Sequence, residues 1–147
     1  MSVVSASEPL TVLIVGCGDI AGGYDECGGS EAIRSQAGAY SRDPRFQIRA
    51  CVEPNSKRRE AFMAYWNIKE GYHDLASCLA SNHSFDLVSL CLPTREHGEA
   101  LKAVLALKPR CVFAEKPLTE DPVLSRRILD DYDKAGVSIA VNYVRRW

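Results

Sequence analysis

The sequence has no apolar run near the ~20 residues that a membrane-spanning helix requires. Its longest, such as Leu10–Val15 and Leu87–Leu92, stop far short. Met1–Pro9 lacks the basic start and apolar middle of a secretory signal, so it reads as a short tail and the protein is expected in the cytoplasm. Neither sign of charge dominates: 18 Lys+Arg face 19 Asp+Glu, giving a net charge of −1 and a pI near 6.3. Proteins that wrap DNA or RNA need a dense basic face, so nucleic acid is not an expected partner, and neither is a membrane. No C-x-x-C pair occurs among the six cysteines, whose nearest two, Cys17 and Cys27, are ten positions apart. That removes zinc-ribbon and thioredoxin-like chemistry, and no metal site is expected. Cys51, Cys91 and Cys111 lie in apolar runs and read as buried thiols, while Cys27, in a glycine-rich stretch, reads as the exposed one. The 147 residues are also too few for a second full domain, which leaves one domain over residues 10–147.

What is present is alternation. Apolar runs at Thr11–Val15, Gln47–Val52, Asp86–Leu92, Arg110–Ala114 and Val137–Val141 read as buried strands. Helical spacing separates them at Ser56–Trp66, Thr94–Leu107 and Pro122–Ala135, the last opened by Asp121 and closed by Gly136. Weaker helices fall at Ala32–Ser41 and Asp74–Ser81, and Gly22–Ser30 reads as a glycine-rich loop. Strands that are apolar throughout belong to a sheet covered on both faces, and helical crossovers make it parallel. The expected fold is therefore a doubly wound α/β sheet with a six-stranded parallel core.

The first strand runs directly into Gly16-Cys17-Gly18-Asp19-Ile20-Ala21, a G-x-G-x-x-A in the required strand, turn and helix context. Gly16 permits the tight turn, Gly18 lets backbone N–H groups approach a pyrophosphate, and Ala21 lets the helix pack against the strand. Asp19 and Ile20 complete that turn. Strand two ends at Glu53, where a carboxylate accepts hydrogen bonds from ribose hydroxyls and repels a 2′-phosphate, so NAD is favoured over NADP. Glu53 follows Ala21 by 32 positions (53 − 21) rather than the roughly 20 of the usual pattern, and the surplus coincides with Gly22–Ser35. Lys57, Arg58 and Arg59 read as the wet face of a helix.

At the carboxyl edge, strand four delivers Leu92, Pro93 and Thr94, with His97 one turn into the next helix and so near the cofactor. Strand five delivers Glu115-Lys116-Pro117. His73 and His83 have no such placement and read as structural.

Taken in order, the G-x-G-x-x-A turn, the acid after strand two, Pro93-Thr94 with His97, Glu115-Lys116-Pro117, and Asn142-Tyr143-x-Arg145-Arg146 resemble the glucose–fructose oxidoreductase/inositol dehydrogenase/rhizopine-catabolism (Gfo/Idh/MocA) family over essentially Thr11 to Trp147. The Gly-Tyr-Asp loop, Ala37–Tyr40 and the closing Asn-Tyr-x-Arg-Arg are similar to members that act on surface-polysaccharide sugars. The resemblance implies that Lys116 reaches the reacting carbon and stabilises the charge that develops on a substrate hydroxyl, commonly beside a cis Lys-Pro bond. It implies that Glu115 orients the loop, and that Leu92, Pro93, Thr94, His97, Glu115 and Asn142 join Gly16–Ala21 and Glu53 around the cofactor. The substrate would be a sugar or nucleotide sugar, and a homo-oligomer is open. Two departures stand out. Gln36 occupies a position that is often His, and the chain stops where the family's second α/β domain, with its Asp and His for proton transfer, would begin. The expectation is the cofactor-binding half of a dehydrogenase; the alternative is a non-catalytic dinucleotide sensor. A Rossmann methyltransferase shares the glycine turn and the acid but not Glu-Lys-Pro.

Overall fold

The computed structural model describes residues 8–28 and 32–143. Its strands are β1 (Leu10–Val15), β2 (Phe46–Val52), β3 (Glu70–Tyr72), β4 (Leu87–Leu90), β5 (Cys111–Glu115) and β6 (Ser138–Asn142). They form one sheet in the order β3-β2-β1-β4-β5-β6, with every neighbouring pair parallel. The chain moves outward from β1 to β3, then returns to β4 on the far side of β1. That reversal opens a crevice at the carboxyl ends of β1 and β4, the place where open α/β sheets bind ligands.

The register follows from burying both faces of the central strands. Leu13, Val15, Val88, Leu90, Val112 and Ala114 face one core, completed by Leu101, Val104, Ile128 and Tyr132 from helices α5 (Thr94–Val104) and α6 (Pro122–Ala135). Val12, Ile14 and Cys51 face a second core, with Ala37 and Tyr40 of α2 (Gln36–Arg42) and Phe62 of α3 (Ser56–Trp66). Tyr132 is fully buried, and its hydroxyl donates to Leu101 O at 2.9 Å, so the ring brings no unpaired polar group into the core.

Helix limits follow their caps. Asp121 accepts from Val123 N at 2.8 Å ahead of Pro122, and Gly136, at φ 68°, ends α6 in the left-handed region that favours glycine. Asn55 opens α3 by accepting from Arg58 N. Asp74 and Ser77 form a reciprocal capping box at α4 (Leu75–Ala80).

Four expectations are corrected. The weak helix starts at Gln36 rather than Ala32, because the Ser35 hydroxyl caps it by accepting from Gly38 N at 3.1 Å. The helix after β4 is α-helical only to Val104 and tightens into a 3₁₀ turn over Leu105–Leu107. The glycine-rich stretch is not all loop: a π-helical turn, Asp19–Gly23, leads into α1 (Tyr24–Glu26). Gly22 makes this possible, since a Cβ there would strike Trp66 and Phe62. Finally, Cys111 is only half-buried, whereas Cys17, Cys51, Cys78 and Cys91 are buried and Cys27 is exposed.

Among the described residues no helix is long and apolar enough to cross a membrane. No cluster of three or more His, Cys, Asp or Glu side chains there could hold a metal ion.

Candidate functional site

The two glycines of the first turn differ in why they are there. Gly16 has φ +87°, and a Cβ on it would lie 2.7 Å from Cys91 O, so the fold itself requires glycine. Gly18 has an ordinary extended backbone, φ −79° and ψ −164°, and a Cβ on it would meet nothing within 4 Å. No contact among the described residues asks for a glycine at 18. The open space above it is what a ligand backbone passing close to the turn would use.

Around that space lies a cleft of about 410 Å³, lined by Gly16, Gly18, Asp19, Ile20, Glu53, Leu92 and Pro93. Seven residues assigned to a cofactor from sequence thus meet in one place. Cys17, Pro54, Cys91 and Glu96 also line it and were not singled out; each is a chain neighbour of a residue that was. Two helices open here without a side-chain cap, the turn at Asp19 and α5 after Pro93. Uncapped N–H groups and the positive end of the helix dipole suit an anion such as a pyrophosphate.

Glu53 is held in place by main chain. One carboxylate oxygen accepts from Cys17 N at 3.1 Å and the other from Asn55 N at 3.0 Å, so the group lies beside the turn and keeps lone pairs for hydroxyl donors. The Cys17 thiol beneath it is buried, and a hydrogen bond with Cys51 together with desolvation pushes it well above the usual thiol range. It is neutral and inert.

The remaining assigned residues lie apart from this cleft. Ala21 is fully buried, in keeping with a packing role. Thr94 is half-buried at the start of α5 and does not line the cleft. His97 has no accessible surface. Its Nε2 lies 2.9 Å from Leu92 O, and its Nδ1 lies 2.9 Å from Pro117 O and 3.1 Å from Leu118 O. His97, expected near the cofactor, ties the loops after β4 and β5 together.

Glu115 is committed as well. Its Oε1 accepts from Gln36 Nε2 at 2.6 Å and from Asn142 Nδ2 at 2.9 Å, which joins α2, β5 and β6. Gln36 lies where the family pattern often has His, and its Oε1 is buried without a partner among the described residues. We expect Glu115→Ala to cost about 1–3 kcal/mol in urea unfolding, since it strands both amides, and Glu115→Gln to cost less. Gln36, Asn142, Ile20, Tyr24 and Phe113 border a second cavity of about 680 Å³ beside the first, with Ile20 as the shared wall.

Lys116 directly follows β5, is exposed, and is joined to Pro117 by a cis bond, as the resemblance implies. Arg145 and Arg146 lie outside the described residues.

Comparison with known proteins agrees with this geometry. A family model described as an oxidoreductase family with an NAD-binding Rossmann fold matches residues 10–143. Among solved structures, the 3-ketoreductase KijD10 of Actinomadura kijaniata, as its Y186F mutant in complex with TDP-benzene and NADP, aligns with a TM-score of 0.74 at 24% identity, covering 91% of this chain and 37% of that one. An oxidoreductase from Agrobacterium radiobacter in complex with NAD+, L-tartaric acid and magnesium aligns at 0.78 and 19% identity, covering 94% and 36%. The dehydrogenase MviM from Clostridium difficile aligns at 0.76 and 20%, covering 93% and 40%. No match is found among curated proteins. The chain therefore spans about two-fifths or less of the length of these solved structures.

Proposed function

The chain belongs to the Gfo/Idh/MocA oxidoreductase family and forms its NAD(P)-binding Rossmann domain; from that premise we propose that it binds NAD in preference to NADP at the Gly16–Ile20 cleft and serves the oxidation or reduction of a sugar or nucleotide-sugar hydroxyl. The observation that carries this reading is Gly18, a glycine that no contact among the described residues requires, beneath open space at the switch point of the sheet.

Each residue then has a task. The uncapped turn at Asp19 and the start of α5 orient and neutralise the pyrophosphate. Glu53 takes the ribose hydroxyls and opposes a 2′-phosphate. Ile20 stands between the cleft and the cavity that Asn142 and Gln36 border, and puts an apolar side chain there. His97 and Glu115 hold the loop that carries Lys116. Lys116 sets an ammonium beside the substrate hydroxyl, where it donates a hydrogen bond and stabilises developing negative charge. The dinucleotide, when bound, supplies the carbon that accepts or donates the hydride.

The choice of sugar chemistry follows the family resemblance. KijD10, a 3-ketoreductase seen with NADP and TDP-benzene, is similar to this chain in fold.

Calorimetric titration of the 147-residue chain with NADH and NADPH, alongside nicotinamide fluorescence, tests the first step. Saturable binding is expected for both, with NADH the tighter. A folded chain that shows no saturable binding at millimolar NADH would sink the reading.

A further inference from the structure

Within the surplus chain between Ala21 and Glu53, the described residues Asp25 and Glu26 on one side and Arg34 and Ser35 on the other are held together and against α3. The anchor is Asp25, whose carboxylate accepts from Ser35 Oγ at 2.6 Å, Ser35 N at 2.9 Å and Arg34 N at 3.1 Å. From the other side, Tyr65 of α3 donates to Asp25 O at 3.0 Å. Glu26 is thereby pressed against α3. It takes the Arg58 guanidinium in a two-pronged pair, Nη1 to Oε2 at 2.7 Å and Nη2 to Oε1 at 3.0 Å, and it also accepts from Trp66 Nε1 at 3.1 Å. The side chains of Arg58 and Glu26 are 29% and 17% exposed, so solvent screens this pair weakly.

Arg58 lies beside the acid assigned to the ribose. Its Nε donates to Cys17 O, while Glu53, the acid placed for the ribose, accepts from Cys17 N. The two side chains thus hold opposite ends of the same turn residue. Arg59 is also close, donating to Glu53 O at 2.6 Å. Two carboxylates and two guanidiniums therefore balance around the end of β2. A planar guanidinium is the group best suited to grip a 2′-phosphate through paired hydrogen bonds, and here that fork is already filled by a carboxylate.

We infer that Glu26, supplied by the inserted segment, sets the dinucleotide preference by occupying Arg58 and so withholding it from a 2′-phosphate. Glu26 is a positioning residue: it acts through Arg58 and need not touch the cofactor. Glu53 disfavours the phosphate by direct repulsion, and Glu26 removes the cation that would otherwise offset that repulsion. The sequence hides this arrangement, because Arg58 reads as one of three basic residues on a wet helix face and Glu26 lies 32 positions earlier (58 − 26) in a glycine-rich stretch. The inference rests on the dinucleotide reading of the cleft.

The test is titration of the full chain with NADH and NADPH, and with 5′-ADP and 2′,5′-ADP as the pair that isolates the extra phosphate. Glu26→Gln keeps an acceptor for Trp66 but removes the charge. It is expected to raise NADPH and 2′,5′-ADP affinity tenfold or more while NADH affinity moves less than about threefold. In the Glu26→Gln/Arg58→Gln double variant that gain should disappear. Arg58→Gln alone should leave the ratio of the two affinities within about threefold of the parent, because the guanidinium is already engaged; this arm stands even if Glu26→Gln does not fold.

A Glu26→Gln chain that binds NADH with an unchanged preference overturns the inference and spares the reading of the cleft. So does a tenfold loss of NADPH affinity in Arg58→Gln, which would show that Arg58 reaches the phosphate past Glu26. A parent chain that binds neither dinucleotide overturns both.

Discussion

Gly18→Ala is expected to leave the domain folded, as stable as the parent or slightly more so, while weakening dinucleotide binding about 100-fold or more. Gly16→Ala, two residues away, should do the opposite and lower stability first. The difference lies in the backbone. At Gly18 the dihedrals suit any residue and the added methyl enters open space, so the main effect on folding is a less flexible unfolded chain, worth about 0.4–1 kcal/mol in favour of the variant. The same methyl lies where a pyrophosphate must approach the turn, and the lost close contacts amount to about 2.7 kcal/mol for a 100-fold change. At Gly16 the added Cβ faces both a left-handed backbone and the Cys91 carbonyl. Strain of ~1–2 kcal/mol and overpacking of ~1–3 kcal/mol are a large part of an ordinary domain's total stability. Thermal unfolding and calorimetric titration of the two variants side by side separate the effects. A Gly18→Ala chain that binds NADH as the parent does would mean the ligand does not pass over this turn.

That contrast also shows where sequence reasoning reaches and where it stops. The glycine spacing locates the turn, but it cannot say which glycine serves the fold and which serves a ligand; that depends on Cys91, a residue from another strand. The same limit applies to the elements. β1, β2 and β5 announce themselves through the mainly apolar stretches Val12–Val15, Ala50–Val52 and Cys111–Ala114, and α3 and α6 through Asn55, Asp121 and Gly136, because those signals are local. β3 is invisible, since Glu70-Gly71-Tyr72 has no apolar run. It is a strand because it pairs with Ala50–Val52 and because Glu53 N donates to Tyr72 O at 2.9 Å.

The site divides in the same way. Positions at strand ends follow from topology, so the Gly16–Ile20 turn, Glu53, Leu92 and Pro93 were legible. Contacts made by side chains across elements were not. His97 stands one turn into α5 as expected, yet its ring points into the protein to three carbonyls. Gln36 and Glu26 become meaningful only once Ser35 is seen to donate to Asp25, which brings α1 and the start of α2 together.

Lys116→Ala should leave folding and NAD affinity almost unchanged and lower the rate of hydride transfer about 10²–10⁴-fold. The stability half of this expectation follows from what Lys116 does not do. It is exposed, and among the described residues its ammonium makes no hydrogen bond or ion pair, even with Glu115 beside it, whose Oε1 is taken by Gln36 and Asn142. Surface changes of that kind stay within about 0.5 kcal/mol. The affinity half follows from position. Pyrophosphate and ribose are assigned to residues at the ends of β1, β2 and β4, whereas Lys116 follows β5, so removing it takes nothing from the groups assigned to anchor the dinucleotide. The rate half follows from charge. In the reducing direction the hydride adds to a carbonyl carbon and negative charge develops on its oxygen, so an ammonium donating to that oxygen stabilises the transition state more than the neutral ground state and passes it a proton; oxidation is the reverse, with the Lys116 amine taking the hydroxyl proton. The measurement is single-turnover nicotinamide absorbance, made in the protein extended to the length of its solved relatives and checked against calorimetric NAD affinity. Lys116→Arg should not rescue the rate, because a planar fork does not place its charge where the compact ammonium does. If Lys116→Ala kept its hydride-transfer rate, the loop after β5 would be structural and the acid–base work would have to come from elsewhere. If it lost NAD affinity in step with rate, Lys116 would be a cofactor anchor instead.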